Sequence, residues 1–448
     1  MRVFGTDGIR GTVNTHPITP AFFVKLGNTL GYFLRLRYAN QNQKPKVLIG
    51  KDTRLSGYMI ESSLMSGLVS AGVDVILTGP LPTPAISILT LGMRAEAGIM
   101  ITASHNQFYD NGVKIFNDKG VKISKQIQQE LEDLLDTEDT SKFLVASAEF
   151  GRAKRIEDAS GRYVEFVKNT FPKNLSLKGL KIALDCANGA AYKLAPEIFW
   201  ELGADVYTYN NNPNGLNINL ECGSTYPSFI SSKVKEIGAD IGISLDGDAD
   251  RIIICDENGQ IMDGNHIIGV IAKYFHGKGT LQGGKVVSTI IANMGLEIYL
   301  KSLGIDILRT PVGDSFVGLA MSDAGCNLGG EPSGHILLGD YCKTGDAIIA
   351  SLQLLAVMLD SKLKASELCK IFDKTPSVEQ NIKLGIKQID QSTIETAIAK
   401  AKADYPDAKL NIVVRKSGTE NVLRFFADGN LKADKLEAII TKLKNDIL

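Results

Sequence analysis

The 448-residue chain has no C-x-x-C pair; its six cysteines, at 186, 222, 255, 326, 342 and 369, are scattered. In a chain this size that pattern suits neither a disulfide frame nor a zinc site, and it points to reduced thiols in the cytoplasm. Charge of one sign is also missing: 49 Lys+Arg face 50 Asp+Glu, a net of −1. Nucleic acid is therefore not expected as the main partner, because counterion-driven binding needs a basic excess or a basic face. A small anion held by a local cluster of donors is still compatible with that balance. No apolar run is long enough to cross a membrane, and the stretch from Ala347 to Leu359 is short and interrupted by Ser351 and Gln353. The first residues meet Gly5 and Asp7 where a secretory signal needs a continuous apolar core. With 44% hydrophobic residues and no low-complexity segment, disorder is not expected either.

Short β-branched runs alternate with helical patterns three times. The first set is Lys46 to Ile49, Val73 to Leu77 and Ala97 to Ala103; the second is Lys181 to Leu184, Val206 to Tyr209 and Asp240 to Leu245; the third is Lys285 to Ile290, Ile305 to Leu308 and Cys326 to Leu328. Strands separated by helices predict right-handed crossovers and parallel-rich sheets covered on both faces. The tail differs: two strands joined by a polar loop around residues 415–421, then a helix from Ala433 to Ile447, form a small α+β unit. At ~150 residues per domain the length alone suggests about three domains. The pattern suggests four, over residues 1–150, 151–254, 255–371 and 372–448.

Four segments carry chemistry. In "ITASHNQFYDNGVKIF" an apolar strand runs into Thr102, Ser104, His105 and Asn106. Ligands of α/β sheets bind at the carboxyl ends of strands. Ser104 is thus either a nucleophile or phosphate carrier, served by His105 and Lys114, or part of a polar turn leaving the strand. In "GGEPSGHI", Glu331, Ser333 and His335 alternate and share one face of an extended segment. That suits hydrogen bonding to sugar hydroxyls, though a Pro/Gly turn with incidental polar residues fits equally. Arg415, Lys416, Ser417, Gly418 and Thr419 gather cations, hydroxyls and a glycine into a donor-rich nest for a phosphate dianion, with a solvated basic turn as the alternative. The Walker pattern is absent there, so no nucleotide is implied.

Asp246, Asp248 and Asp250 alternate directly after the apolar run "IGISL". Three carboxylates so spaced can converge on one hard cation, and oxygen-only ligands favour Mg²⁺ or Ca²⁺ over zinc. An EF-hand loop is excluded, since its sixth position is Arg251 rather than glycine and its flanks read as strands. Magnesium is the expected ion, with a solvated acidic turn as the alternative. "FGTDGIRG" with Arg10, and "KDTRLSG" with Lys51 and Arg54, read singly as structural glycines and surface cations.

The ordered set formed by "FGTDGIRG", "ASHN…YDNGVK", "NINLECGST", "DGDADR", "GGEPSGH", "TGDA" and "RKSGTE" resembles the α-D-phosphohexomutases over essentially the whole chain, and within them the bacterial phosphoglucosamine mutases. The resemblance implies four domains around a central cleft: three related α/β units and a smaller, mobile phosphate-binding domain. It implies a cytoplasmic mutase of the isomerase class acting on a hexosamine phosphate through a 1,6-bisphosphate, in amino sugar metabolism that feeds cell-envelope synthesis. Ser104 would be the phosphoserine and would complete a Mg²⁺ site with Asp246, Asp248 and Asp250. Glu331, Ser333 and His335 would face the sugar. Arg415, Ser417, Gly418 and Thr419 would hold the phosphate that is not reacting, and Arg10, Lys114 and His105 would lie at the reaction centre. A homodimer is compatible with this resemblance. Gln107, Ala249, Ser315 and Asn421 depart from the usual pattern, which bears on the choice of sugar more than on the reaction. Phosphoglucomutase/phosphomannomutase chemistry is the near alternative; a Mg²⁺ phosphatase and a sugar-phosphate sensor are more distant ones.

Overall fold

A computed structural model describes residues 2–5, 7–39, 43–384, 389–416 and 422–448. Its first three sheets repeat one plan. A parallel strand, a helix, a parallel strand, a second helix and a third parallel strand are followed by a return strand that pairs antiparallel with the third. In the first sheet these strands are Lys46–Lys51, Asp74–Pro80, Ala97–Ile101 and the return Asp110–Asn117. In the second they are Lys181–Asp185, Asp205–Tyr209, Ile241–Leu245 and Ile252–Asp256. In the third they are Lys285–Thr289, Asp306–Thr310, Leu328–Gly330 and Ile336–Leu338. Three loops therefore occupy one topological position, the carboxyl end of the third parallel strand. They are residues 102–109, 246–251 and 331–335.

Two expected strands shift for local reasons. The strand from Ala97 ends at Ile101, because the chain turns sharply to let Ser104 adopt φ +51°. The strand expected from Cys326 begins at Leu328, because Gly325 (φ +62°) closes the preceding helix and the Cys326 amide is tied back to the Met321 carbonyl. The first sheet also takes in Ala153–Arg155, and the second runs on through Ile261–Met262, so both continue past residues 150 and 254. The carboxy-terminal unit holds three described antiparallel strands, Ser377–Lys383, Val422–Gly429 and Leu410–Lys416, backed by helices Gln391–Ala403 and Ala433–Ile447.

The apolar stretch after Asp346 forms the helix Ala347–Ser361, buried from Ala347 to Met358. A helix apolar all round belongs in a core. Asp346 caps it, accepting from the Ile348 and Ile349 amides and from the Tyr163 hydroxyl at 2.9 Å. This helix lies in a hydrophobic core shared by residues from all three large units, from Leu48 to Leu368. The carboxy-terminal unit keeps a core of its own around Phe425, Leu436 and Ile440. It is tied to the third unit by polar contacts: Asp428 accepts from the Met294 amide at 2.6 Å, and the Asn411 amide donates to the Ile290 carbonyl at 2.8 Å. No helix among the described residues is long and apolar enough to cross a membrane.

Candidate active site

The three equivalent loops converge. Ser104, 1% exposed, donates through Oγ to Asp246 Oδ2 at 2.7 Å. One oxygen from each of Asp246, Asp248 and Asp250 lies within 4.8 Å of the others, and all three residues are buried. Lys114 projects from the return strand of the first sheet and places Nζ 2.8 Å from Asp248 Oδ2, 2.7 Å from Asp250 Oδ2 and 3.3 Å from Asp7 Oδ2. The Thr83 hydroxyl, at the start of a helix, donates to the same Asp248 oxygen at 2.5 Å.

The electrostatics of this cluster divide its acids. Burial, with Asp250 and Asp248 alongside, holds Asp246 well above the ordinary carboxylate range. Burial works the same way on Asp250, but the Lys114 ammonium and His335 outweigh it and hold Asp250 well below. Burial opposes the charge on Lys114 as well, yet Asp248, Asp250 and Asp7 raise it well above its usual value. The neighbouring His105 is lowered to about 3 by burial and by the cations Arg251 and Arg10.

The residues fit a hard cation. Asp248 Oδ1 is buried with no hydrogen-bond partner, and the buried Asp250 Oδ1 meets His335 Nδ1 only at a long 3.5 Å, so two carboxylate oxygens in the triplet keep capacity for a ligand. With Asp246 and Ser104 Oγ they offer an oxygen-only set, which suits Mg²⁺.

The remaining expected residues fall around this centre. The Arg10 guanidinium donates to Asn106 Oδ1 at 3.4 Å and to Asp7 Oδ2 at 3.3 Å, beside the serine loop. Glu331 is buried and accepts from the Gly313 amide at 3.0 Å, whereas Ser333 is exposed. His335 points inward rather than out of its loop: Nδ1 lies 3.5 Å from Asp250 Oδ1, and Nε2 lies 3.4 Å from Asp314 Oδ2 and accepts from the Gly345 amide at 3.1 Å. Arg415 is half-buried, opposite Arg424 on the neighbouring strand, and Glu331 acts on it electrostatically. Ser417, Gly418 and Thr419 lie outside the described residues.

Several participants were not evident from the sequence. Arg54, read there as a surface cation, is 1% exposed and bound to Asp52 through Nε at 2.8 Å. Lys51 is likewise buried, with Nζ 2.8 Å from Glu61. Burying each cation against a carboxylate removes the need for solvent. Arg251 is held by acids of the second and third loops and of the amino-terminal segment, with Asp250, Asp246, Glu331 and Asp7 raising its pKa against burial. Its only sequence signal is its place directly after the triplet. Lys122 bridges Asp7 and Asp314, linking the first and third units. Behind that bridge a cavity of about 640 Å³ opens between those units, walled by Phe4, Ile123, Phe316 and Leu337. Its lining includes Lys114, Lys122 and Asp314 but none of Ser104, the triplet, Glu331 or Arg415, so it borders the charged cluster on its lysine side.

A buried serine beside an acid triplet able to hold a metal ion, at the carboxyl ends of related sheets, fits a phosphoryl-transfer class of α/β protein. The chain belongs to the phosphoglucomutase/phosphomannomutase family: models of its α/β/α domains I, II and III match residues 1–142, 161–259 and 263–375. It is 48% identical over 443 residues to the phosphoglucosamine mutase of Agrobacterium fabrum, covering 99% of this chain and 97% of that protein. It is 47% identical over 444 residues to the phosphoglucosamine mutase of Bartonella henselae, covering 99% and 95%. Its fold matches a phosphoglucomutase/phosphomannomutase family protein from Burkholderia thailandensis with a TM-score of 0.83 at 22% identity, over 99% of this chain and 96% of that one.

Proposed function

We propose that the chain interconverts glucosamine 6-phosphate and glucosamine 1-phosphate through phospho-Ser104. The observation that carries this reading is the 2.7 Å contact between Ser104 Oγ and the acid triplet, in a chain nearly half identical over its length to phosphoglucosamine mutases. In the first half-reaction the sugar hydroxyl oxygen bonds to the phosphorus on Ser104. The bond from phosphorus to Oγ breaks, the hydroxyl proton leaves to a base and Oγ takes up a proton, giving a 1,6-bisphosphate. The intermediate turns over in the cleft. Ser104 Oγ then gives up that proton and bonds to the other phosphorus, while the bond from that phosphorus to the sugar oxygen breaks and the sugar oxygen is protonated, restoring phospho-Ser104. Such transfers depend on positioning and charge neutralisation.

Asp246, Asp248 and Asp250, with Ser104 or its phosphate, would hold Mg²⁺, whose charge neutralises the transferring group and makes the serine oxygen a better leaving group. Lys114 neutralises the acids from its position between them. Among the expected proton carriers, His105 has an open ring nitrogen: its buried Nδ1 bonds to no described group, while Lys114 is engaged by three carboxylates. Arginine at position 10 keeps its proton and serves as a charge. Glu331 and Ser333 read ring hydroxyls in both orientations, His335 holds Asp250, and Arg415 meets the distal phosphate. All six cysteines are unpaired, which supports a reducing cytoplasm as the setting.

The test is a coupled assay on glucosamine 6-phosphate with Mg²⁺, paired with mass spectrometry of the peptide containing Ser104. Formation of glucosamine 1-phosphate by a protein phosphorylated at Ser104 is expected. Higher kcat/KM on glucose or mannose phosphates would move the assignment to phosphoglucomutase/phosphomannomutase. Release of inorganic phosphate without isomerised sugar would overturn it.

A further inference from the structure

The serine loop makes few bonds of its own. Within residues 102–110 the hydrogen bonds are those from the Ser104 amide to Thr102 Oγ1, the Asn106 amide to the Ala103 carbonyl, the Asp110 amide to the Gln107 carbonyl and the Asn106 side-chain amide to Asp110. Ser104 nevertheless holds φ +51°, a left-handed conformation that a side chain other than glycine adopts only at a cost. A strained residue on a sparsely bonded loop stays in place only if its surroundings over-determine it.

Two side chains supply that constraint. The buried Arg54 guanidinium donates through Nη2 to the carbonyls of Ser104 at 2.9 Å and Asn106 at 2.8 Å, and through Nη1 to those of Gln107 and Asp110. Its orientation is set in turn by Asp52, which takes Nε at 2.8 Å and the Arg54 amide at 3.0 Å and also accepts from Thr102 at 2.8 Å. One planar cation thus collects four carbonyls, a geometry available to arginine and not to lysine. The second side chain comes from the next unit: Asn219 Nδ2 donates to the same two carbonyls, Ser104 at 2.8 Å and Asn106 at 3.0 Å. Gln107 answers across the boundary, donating to the Asn219 carbonyl at 3.0 Å. The metal loop closes over this junction, since a Cβ on Gly247 would lie 2.6 Å from the Ser104 carbonyl oxygen and 2.8 Å from Asn219 Nδ2.

We infer that Arg54 and Asn219 are positioning residues for the serine loop, acting from two units on one pair of carbonyls. Arg54 fixes the loop within the first unit. Asn219 makes the readiness of Ser104 depend on the docking of the second unit, which also carries the acid triplet, so serine and acids are aligned by one contact. The kinetic part of this inference rests on the mutase reading above; the structural part does not.

The experiment compares Arg54→Lys and Asn219→Asp with the parent chain in steady-state kinetics and in hydrogen–deuterium exchange of peptides spanning residues 102–112. Asn219→Asp keeps the residue's size and its left-handed backbone, while turning a donor into an acceptor facing two carbonyls. Each variant is expected to lose at least tenfold in kcat with KM for glucosamine 6-phosphate held within threefold. Exchange should rise at least tenfold in the 102–112 peptides and stay unchanged in peptides from the core strand Lys46–Lys51. Unaltered exchange of the loop, or kcat equal to the parent, would overturn the inference. If Arg54→Lys fails to fold, Asn219→Asp decides alone. A parent chain inactive on every hexose phosphate would sink the functional reading, while the exchange measurement would still test the clamp.

Discussion

Ser104 Oγ and Asp246 Oδ2 meet at 2.7 Å across 142 residues of sequence, joining the functional loops of two different sheets. On the proposed reading, a serine hydroxyl aimed at a carboxylate of a cluster able to hold a cation is the group that carries the phosphoryl. Ser104→Ala should therefore lower turnover more than about 10³-fold, as expected when a residue acting as part of a catalytic unit is removed. Equilibrium binding of glucosamine 6-phosphate and the melting temperature should be little changed. Calorimetric titration beside the coupled assay checks both; substantial residual isomerisation would rule out the carrier role.

The triplet leads to a metal prediction with a readout apart from activity. Asp248 gives Oδ2 to Lys114 and Thr83 but leaves Oδ1 without a partner. Magnesium at a hundred times its dissociation constant should stabilise the chelator-treated protein by about 2.7 kcal/mol, since a ligand of the native state alone shifts the folding equilibrium by mass action. In Asp248→Asn that Mg²⁺-dependent rise in melting temperature should shrink or vanish, and more Mg²⁺ should be needed for activity. An unchanged Mg²⁺ response in the variant would remove Asp248 from the ligand set.

Much of this arrangement is legible from local pattern. The parallel strands at the centres of the three sheets and the acid triplet follow from apolar runs broken by polar residues, because buried parallel strands favour continuous β-branched sequence. Ala153–Arg155, an exposed parallel edge strand, carries no such run. The return strands after each loop are harder to read, since nothing local says that residues 110–117 fold back on 97–101. The strand Ser377–Lys383 alternates with a largely polar surface face and merges into its surroundings. Burial of Arg54 was hidden for a different reason. A cation next to turn residues ordinarily faces water, and only the convergence of four carbonyls with Asp52 compensates it inside. His335 shows the limit of alternation: it shares a strand-like face with Glu331 in sequence, yet the glycine at 334 (φ +90°) turns it toward Asp250.

Asp263 offers a test of stability against pH away from the active site. It caps the helix Gly264–Gly277 and pairs with His266 and Lys374. Burial would raise its pKa, but the hydrogen bond from His266 and the charge of Lys374 hold it below the ordinary value of 3.8. A depressed carboxyl contributes stability that is present above its unfolded value and lost as the pH falls through its folded one. Asparagine preserves the cap but not the charge, so Asp263→Asn should melt earlier at pH 7 by an amount worth about 0.5–1 kcal/mol. The gap should narrow as the pH is lowered below 3.8. Calorimetric scans of both proteins from pH 7 downward check this, and a gap that widens with acid would contradict it.

Lys122 joins the first and third units by contacting Asp7 and Asp314 at once. The bridge continues through Asp314 to His335, Asp250 and Lys114 and returns to Asp7, a closed ring of polar and charged side chains around the candidate reaction centre. Removing one cation from a largely buried ring leaves two acids facing each other, which costs more than the lost bond itself. Lys122→Met should lower stability by about 3 kcal/mol and lower kcat as well, because Asp7 and Asp314 part and carry Lys114 and His335 with them. Denaturant titration and kinetics decide it; a variant as stable and as active as the parent would show that the bridge does not hold the units in register.

Arg415 carries the last prediction. It lies opposite Arg424 on the strand pair of the carboxy-terminal unit, half-buried, and burial together with that second guanidinium lowers its pKa. Two guanidiniums placed opposite one another repel, and although Glu379 and Glu331 act on Arg415 from nearby, a phosphate dianion bound there would give each guanidinium charge-assisted hydrogen bonds. Because the phosphate Arg415 would hold is the one not undergoing transfer, its grip should be about equal in the ground state and the transition state. Uniform binding of that kind appears in KM and not in kcat. Arg415→Ala should raise KM for glucosamine 6-phosphate by roughly 10–100-fold, the equivalent of about 1.5–3 kcal/mol for hydrogen bonds to a charged group, with kcat within a few-fold of the parent. A fall in kcat at constant KM would place Arg415 at the reacting phosphate instead, and no change in either constant would take it out of the site.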